Sequence, residues 1–389
     1  MFLPYGNTSY VVGRGAVEHI SNIKAKKVAL IADYTVLEKF GTLTTVNKLL
    51  ADKGIDWKLV ADISQEPRVS HVEQAKAALA EYKPDFILAI GGGSVLDAAK
   101  AMWIFYEYPD IEYSQVFKPF ALPPMGKKAK LMAIPTTSGT GSETTCVSVL
   151  VDDDTGTKKL IMSREIIPTY AVLDFNLTYS MPRQIAAYSG MDALTHALEA
   201  AVCKISSPLV VSTAKIAALE VMKWLPVSVN EEAGTETFKK ARDIVHGAAS
   251  LAGMAINNSS AGLAHAMDQP GPLFNLPHGL VCGILLPYSL YSMGSNPVYA
   301  EIAKMLGNTG NEGEPAESLI REITRLRKQV GLPESFKEVG INKESYEARI
   351  PEMARLAESS GAAQFAPVEK GRKSVKELFE MAYEGISPI

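Results

Sequence analysis

Residues 86–100, FILAIGGGSVLDAAK, decide the fold. An apolar run of strand length enters three glycines, and Ser94 then opens a stretch with helical spacing. Such a short apolar run bounded by glycine reads as a strand buried on both faces. Glycines there let the backbone approach an anion, and the free amides and dipole of a helix starting at Ser94 favour phosphate. A tight turn without a ligand is the other reading of the same residues.

Upstream the pattern repeats. VALIA (28–32) and WKLVADI (57–63) read as strands, while 36–54 and VEQAKAALAEYK (72–83) read as helices, the first ended by Gly54. Strands alternating with helices predict a parallel sheet covered on both faces, with ligands at the carboxyl ends of its strands. Asp33 follows VALIA at such an end. It either caps the next helix or accepts hydrogen bonds from ribose hydroxyls and repels a 2′-phosphate. Downstream, LMAI (131–134) leads into a second glycine loop, PTTSGTGSETT (135–145), so two loops leave the same sheet edge, as a two-phosphate ligand requires. Neither carries the lysine or spacing of a P-loop. At the N-terminal end TSYVV (8–12) reads as a strand followed by a short helix, and GRGAVE (13–18) lacks the third glycine of a dinucleotide fingerprint and is taken as a turn.

Residues 147–163 read as a hairpin turning at Asp154–Gly156, where Lys158 and Lys159 are either solvated or near a nucleotide, and YAVLD (170–174) as a closing strand. Beyond Pro182 helical periodicity is nearly continuous, broken at 206–208, 257–260, 269–277 and 310–314. The expected domains are therefore 1–180, an α/β dinucleotide-binding unit, and 181–389, an all-α unit carrying the catalytic centre. A cleft between the two is the expected substrate site.

The helical part contains SGMDALTHALEA (189–200), which puts Asp192 and His196 four residues apart on one helix face. A solvated amphipathic helix explains that pair equally well when it stands alone. Two more of the chain's six histidines lie in GLAHAMDQPGPLFNLPHG (262–279), namely His265 in a small-residue apolar context and His278 between proline and glycine. One carboxylate and three imidazoles suit Fe(II) or Zn(II).

Composition excludes several classes. The chain has 389 residues, 47% hydrophobic and 21% charged, with net charge −4 and interspersed signs, so no basic footprint points to nucleic acid or an anionic membrane. Three distant cysteines form no CxxC pair and read as free buried thiols. The N-terminus shows no basic region followed by a long apolar one, and no apolar run of about 18 residues occurs. A cytoplasmic location is expected.

Taken together, GGGSVLDAAK, AIPTTSGTGSETT, DALTHALEA and GLAHAM…PHG, in this order and spacing, resemble the iron-containing (group III) alcohol dehydrogenases over about residues 5–385. The resemblance implies a Rossmann-like N-terminal domain binding NAD(H), a helical C-terminal domain holding one divalent metal, Fe(II) with Zn(II) or Mn(II) as alternatives, and oxidation of a small alcohol or reduction of an aldehyde. It further implies a homodimer or larger homo-oligomer. Asp192, His196, His265 and His278 become the metal ligands. Gly92, Gly93, Ser94, Asp97, Thr136, Thr137 and Thr140 fall at the dinucleotide, with Lys158 nearby and Asp33 at the ribose. The implied chemistry is hydride exchange with the nicotinamide, the metal acting as Lewis acid on the substrate oxygen. Where many members carry another histidine, four residues after the third ligand, this chain has Gln269 in the substrate pocket, which cannot relay a proton near neutral pH. Polyol dehydrogenases and dehydroquinate-synthase-like lyases share the two-domain plan and are the nearest alternative; a nucleotide-binding protein without turnover is the alternative of another class.

Overall fold

The computed structural model describes residues 8–307 and 315–389. By contacts the chain divides into two compact units, Met1–Thr137 with Gly141–Met181, and Ser138–Thr140 with Pro182–Ile389. The first is built on a six-stranded sheet of β1 (Ser9–Gly13), β2 (Lys27–Ala32), β3 (Asp56–Asp62), β4 (Phe86–Gly91), β5 (Lys130–Pro135) and β8 (Tyr170–Asp174), ordered β1-β8-β5-β4-β2-β3 and parallel throughout. A separate antiparallel hairpin joins β6 (Val147–Val151) to β7 (Lys158–Met162).

Alternation along the central strands explains why both faces are covered. Ala29, Ile31, Ile87 and Ala89 point to one side and pack with helices Val69–Tyr82 and Gly93–Glu107. Val28, Leu30, Phe86, Leu88 and Ile90 point to the other, where Leu37, Leu43, Val46 and Leu50 meet them. A strand buried on both faces has no polar face to show, hence the unbroken apolar runs. The parallel sheet and two-sided helical cover are as the alternating pattern predicts.

Three details differ from the sequence expectation. The helix expected over 36–54 is two, Tyr34–Lys39 and Thr42–Ala51, because Gly41 adopts a left-handed conformation (φ 74) that no helix interior accepts. YAVLD does not close the sheet; it is an interior strand, with β1 outside it at the edge. The break expected at 269–277 holds a short helix, Pro270–Phe274. The break expected at 310–314 lies outside the described residues, as do the first seven residues of the N-terminal segment. Within GRGAVE the turn is confined to Arg14 and Gly15, between the end of β1 and a short 3-10 helix, Ala16–Asn22, and the Gly15 and Val17 amides donate to the Asp174 carboxylate at the end of β8.

Strand order places a change of winding direction between β2 and β4, since β3 lies outside β2 on one side and β5 beyond β4 on the other. Open parallel sheets bind ligands at such a switch point. The loop after β5 is fastened there by Lys100, which is fully buried in helix Gly93–Glu107. Its Nζ donates to Ser142 Oγ (2.8 Å), Thr145 Oγ1 (3.1 Å) and the Val147 carbonyl (2.7 Å). Burial lowers the lysine's pKa, opposed by Asp97.

Among the described residues the second unit contains no strand, and its long helices are Arg183–Val202, Pro208–Asn230 and Glu236–Asn257. No helix of the described residues is long and apolar enough to cross a membrane.

Lys100→Ala should lower unfolding stability by about 2–4 kcal/mol, because it strands three acceptors and the partly buried Asp97 charge. Chemical denaturation followed by tryptophan fluorescence checks it; an unchanged midpoint would show that the network holds nothing.

Candidate functional site

At the sheet's carboxyl edge the predicted cofactor residues divide into groups. Gly92 is the N-cap of the 15-residue helix Gly93–Glu107, and no side chain caps that helix start. Its first amides, those of Gly93 and Ser94 among them, are what an anion would use. Thr136 follows β5, its amide donating to the Gly91 carbonyl at 2.9 Å, and Thr137 stands against Gly92, where an added Cβ would meet the threonine side chain at 3.4 Å. Asp33 follows β2 and caps the next helix, accepting from the Val36 amide (3.1 Å), while Asp62 at the end of neighbouring β3 accepts from the Tyr34 amide (2.9 Å).

Other residues are engaged differently. Asp97 accepts from Ser142 Oγ (2.6 Å) and from the Val149 amide (2.9 Å), so its carboxylate ties the glycine loop to β6. Lys158 stands in β7 with its Nζ 3.5 Å from Glu66. Thr140 belongs to the short segment that packs with the second unit.

In the helical unit, Asp192 and His196 lie in Arg183–Val202, His265 in the short helix Leu263–Ala266, and His278 at the first residue of His278–Ser292. Three imidazoles converge on one carboxylate oxygen. Asp192 Oδ1 is 3.4 Å from His278 Nε2, 3.7 Å from His265 Nε2 and 3.9 Å from His196 Nε2. Asp192 Oδ1 and His265 Nε2 are buried and make no hydrogen bond. Ligand bonds of about 2.0–2.2 Å put neighbouring donors roughly 3.3–3.6 Å apart around a tetrahedral cation. The residues present therefore fit a divalent metal: two buried orphan atoms, one carboxylate, three imidazoles, spaced as ligands rather than as hydrogen-bond partners.

Two carboxylates absent from the sequence reading orient this set. His265 Nδ1 lies 2.5 Å from Glu199, which also accepts from the amides of Gly262 (2.8 Å) and Ala264 (2.6 Å). His278 Nδ1 lies 2.6 Å from Asp268. Each carboxylate fixes the proton on Nδ1 and leaves the Nε2 lone pair for a cation. The signal was available: Glu199 stands seven residues after Asp192 on the same helix face, within the run already singled out. Close approach of the elements depends on two glycines. A Cβ at Gly279 would lie 2.3 Å from the Tyr188 carbonyl, and one at Gly262 would lie 2.8 Å from the Glu199 carboxyl carbon.

The electrostatics follow from burial opposed by partners. Burial pushes the Asp192 carboxyl up, yet His196 and His278 beside it hold it well below the usual range. Burial takes His196 down to about 4, so it is neutral and able to ligate at ordinary pH. Burial also disfavours a charged Glu199, but His265 and the two amides lower it.

The comparisons decide the family. Residues 7–175 match the family described as iron-containing alcohol dehydrogenase, and residues 186–383 match its C-terminal part. The chain is 36% identical over 377 residues, covering 96% of both chains, to a protein named NADPH-dependent butanol dehydrogenase from Clostridium saccharobutylicum. This chain belongs to the iron-containing alcohol dehydrogenase family. It is thus an alcohol dehydrogenase, an oxidoreductase. The solved iron-containing alcohol dehydrogenase of Thermococcus thioreducens superposes with a TM-score of 0.87 at 33% identity, covering 97% of this chain and 99% of that one. A sulfoacetaldehyde reductase from Bifidobacterium kashiwanohense, solved in complex with NAD+, superposes with a TM-score of 0.83 at 25% identity, covering 98% and 99%.

Glu199→Gln and Asp268→Asn should each weaken metal binding about 10–100-fold with the fold retained, since outer partners orient the ligating rings. Competition against a chromophoric chelator measures this; affinities equal to wild type would remove both residues from the centre.

Proposed function

We propose that this alcohol dehydrogenase interconverts a small primary alcohol and its aldehyde with NAD(H), on a centre in which Asp192, His196, His265 and His278 hold one divalent cation, Fe(II) foremost. The observation that carries the reading is the convergence of three Nε2 atoms on the unpaired Asp192 Oδ1 in a chain of this family. A cation there supplies Lewis acidity to a substrate oxygen, and bound nicotinamide supplies or accepts the hydride.

The chain's own residues prepare that chemistry. Glu199 and Asp268 hold two of the rings in the ligating tautomer. The amides at Gly93 and Ser94 and the loop at Thr136 and Thr137 suit a dinucleotide's phosphates at the switch point, and Asp97 and Lys158 act on that loop and hairpin. Asp33, with Asp62 beside it, supports NAD over NADP, because a 2′-phosphate next to a carboxylate is repelled. Gln269 donates through Nε2 to the Ala266 carbonyl and has no titratable proton, so it shapes the pocket without acting as acid or base. The same reading carries a homo-oligomer, supported by the edge position of β1, and a reducing compartment such as the cytoplasm, supported by three buried cysteines that form no disulfide.

The test is loss of reduced-cofactor absorbance when short aldehydes, neutral and acid-bearing, are added to Fe(II)-reconstituted protein without oxygen. Turnover should be seen with NADH and be weaker with NADPH, and Asp33→Ser should narrow that gap about tenfold or more. No oxidation across the panel, with metal shown to be bound, would overturn the substrate assignment; an unchanged cofactor ratio in the variant would overturn the role of Asp33.

A further inference from the structure

The loop after β5 is fastened at both limbs and, separately, at its tip. The Thr136 amide ties the first limb to the Gly91 carbonyl of β4 (2.9 Å), and Lys100 holds the second limb through Ser142, Thr145 and Val147. The tip, Ser138–Thr140, belongs by contacts to the helical unit, while Thr137 before it and Gly141 after it belong to the sheet unit. Two contacts account for the place of the tip. Ser138 Oγ is hydrogen-bonded to His246 Nδ1 at 3.0 Å, and both side chains are buried. Gly139 lies so close to helix Arg183–Val202 that an added Cβ would meet Ser189 Cβ at 2.8 Å, its carbonyl oxygen at 2.9 Å and its Cα at 3.0 Å. Ser189 stands three residues, about one turn, before Asp192 on that helix.

His246 lies in helix Glu236–Asn257, and burial takes its pKa down to about 4, so the ring is neutral at ordinary pH. A neutral imidazole serves a hydroxyl in either tautomer, donating or accepting at Nδ1. We propose that His246 is a positioning residue for dinucleotide binding, holding the loop tip through Ser138 so that Thr136, Thr137 and Thr140 are preorganised for the cofactor. This rests on the dinucleotide reading above. Glycines at 139 and 141 give a released tip many conformations, and selecting one of them at each binding event weakens affinity. The hydrogen bond to His246 and the close packing on Ser189 settle that choice before the cofactor arrives. His246 therefore acts through the loop, and its effect falls on cofactor affinity.

The experiment is fluorescence titration of the metal-loaded full chain with NADH, with metal affinity measured on the same proteins by chelator competition. His246→Leu and Ser138→Ala should each raise the Kd for NADH about tenfold, since each removes one partner of a buried hydrogen bond. His246→Asn, whose amide can again meet the Ser138 hydroxyl, should recover most of that loss, which a merely structural role would not follow. The double variant His246→Leu/Ser138→Ala should bind NADH no more weakly than the weaker single variant. Metal affinity should stay at the wild-type value throughout. If His246→Leu fails to fold, Ser138→Ala and His246→Asn carry the test. Wild-type NADH affinity in the single variants, losses that add in the double variant, or a parallel fall in metal affinity overturns the role of His246 while leaving the cofactor reading standing. Failure of wild type to bind NADH overturns both.

Discussion

The helical unit depends on one electrostatic constraint: a carboxylate, Asp192, 2% exposed, with an oxygen that makes no hydrogen bond and three imidazole nitrogens 3.4–3.9 Å away. An ionised carboxylate removed from water without compensation is costly enough that proteins pair it, hydrogen-bond it or give it a metal. The three imidazoles make no hydrogen bond to that oxygen, and a cation among these side chains would supply the compensation that it lacks. The arrangement is understandable as a ligand cage and is hard to justify as a packed core.

Holding the cage open in the right shape requires support from behind. Glu199 and Asp268 bind the far sides of His265 and His278, and Glu199 is itself held by two backbone amides. Glycines at 262 and 279 allow the segments bearing those histidines to lie against helix Arg183–Val202 and its Glu199 side chain. In the sheet unit a comparable role falls to Lys100 and Asp97, which spend their charge on the loop after β5. In both units a buried ionisable side chain fixes the segment that would meet the ligand.

Much of this was legible in the sequence, for reasons that can be named. Parallel strands buried on both faces leave unbroken apolar runs such as 86–90, and Asp192 and His196, which stand 3.9 Å apart in the structure, fall at helical spacing. What escaped depends on non-local pairing or on alternative uses of one residue type. Nothing local in YAVLD says that it lies inside the sheet while β1 takes the edge. Gly41 could have been a tolerated helix glycine until its positive φ is known. Glu199 and Asp268 resemble an ordinary helix glutamate and a loop aspartate until the fold brings each beside a histidine. Asp97, placed at the dinucleotide by resemblance, also accepts from Ser142 and Val149, a pairing set by three-dimensional proximity.

The central claim, that a cation is the missing partner of Asp192, is tested most directly by thermal unfolding of chelator-stripped protein with and without added Fe(II) or Zn(II). A ligand that binds only the folded state at about 100 times its Kd stabilises by about 2.7 kcal/mol, which for a unit of this size raises the Tm by roughly 5–10 °C. Wild type should show that rise and Asp192→Asn should not. A wild-type Tm indifferent to metal, or an equal rise in the variant, would contradict the account.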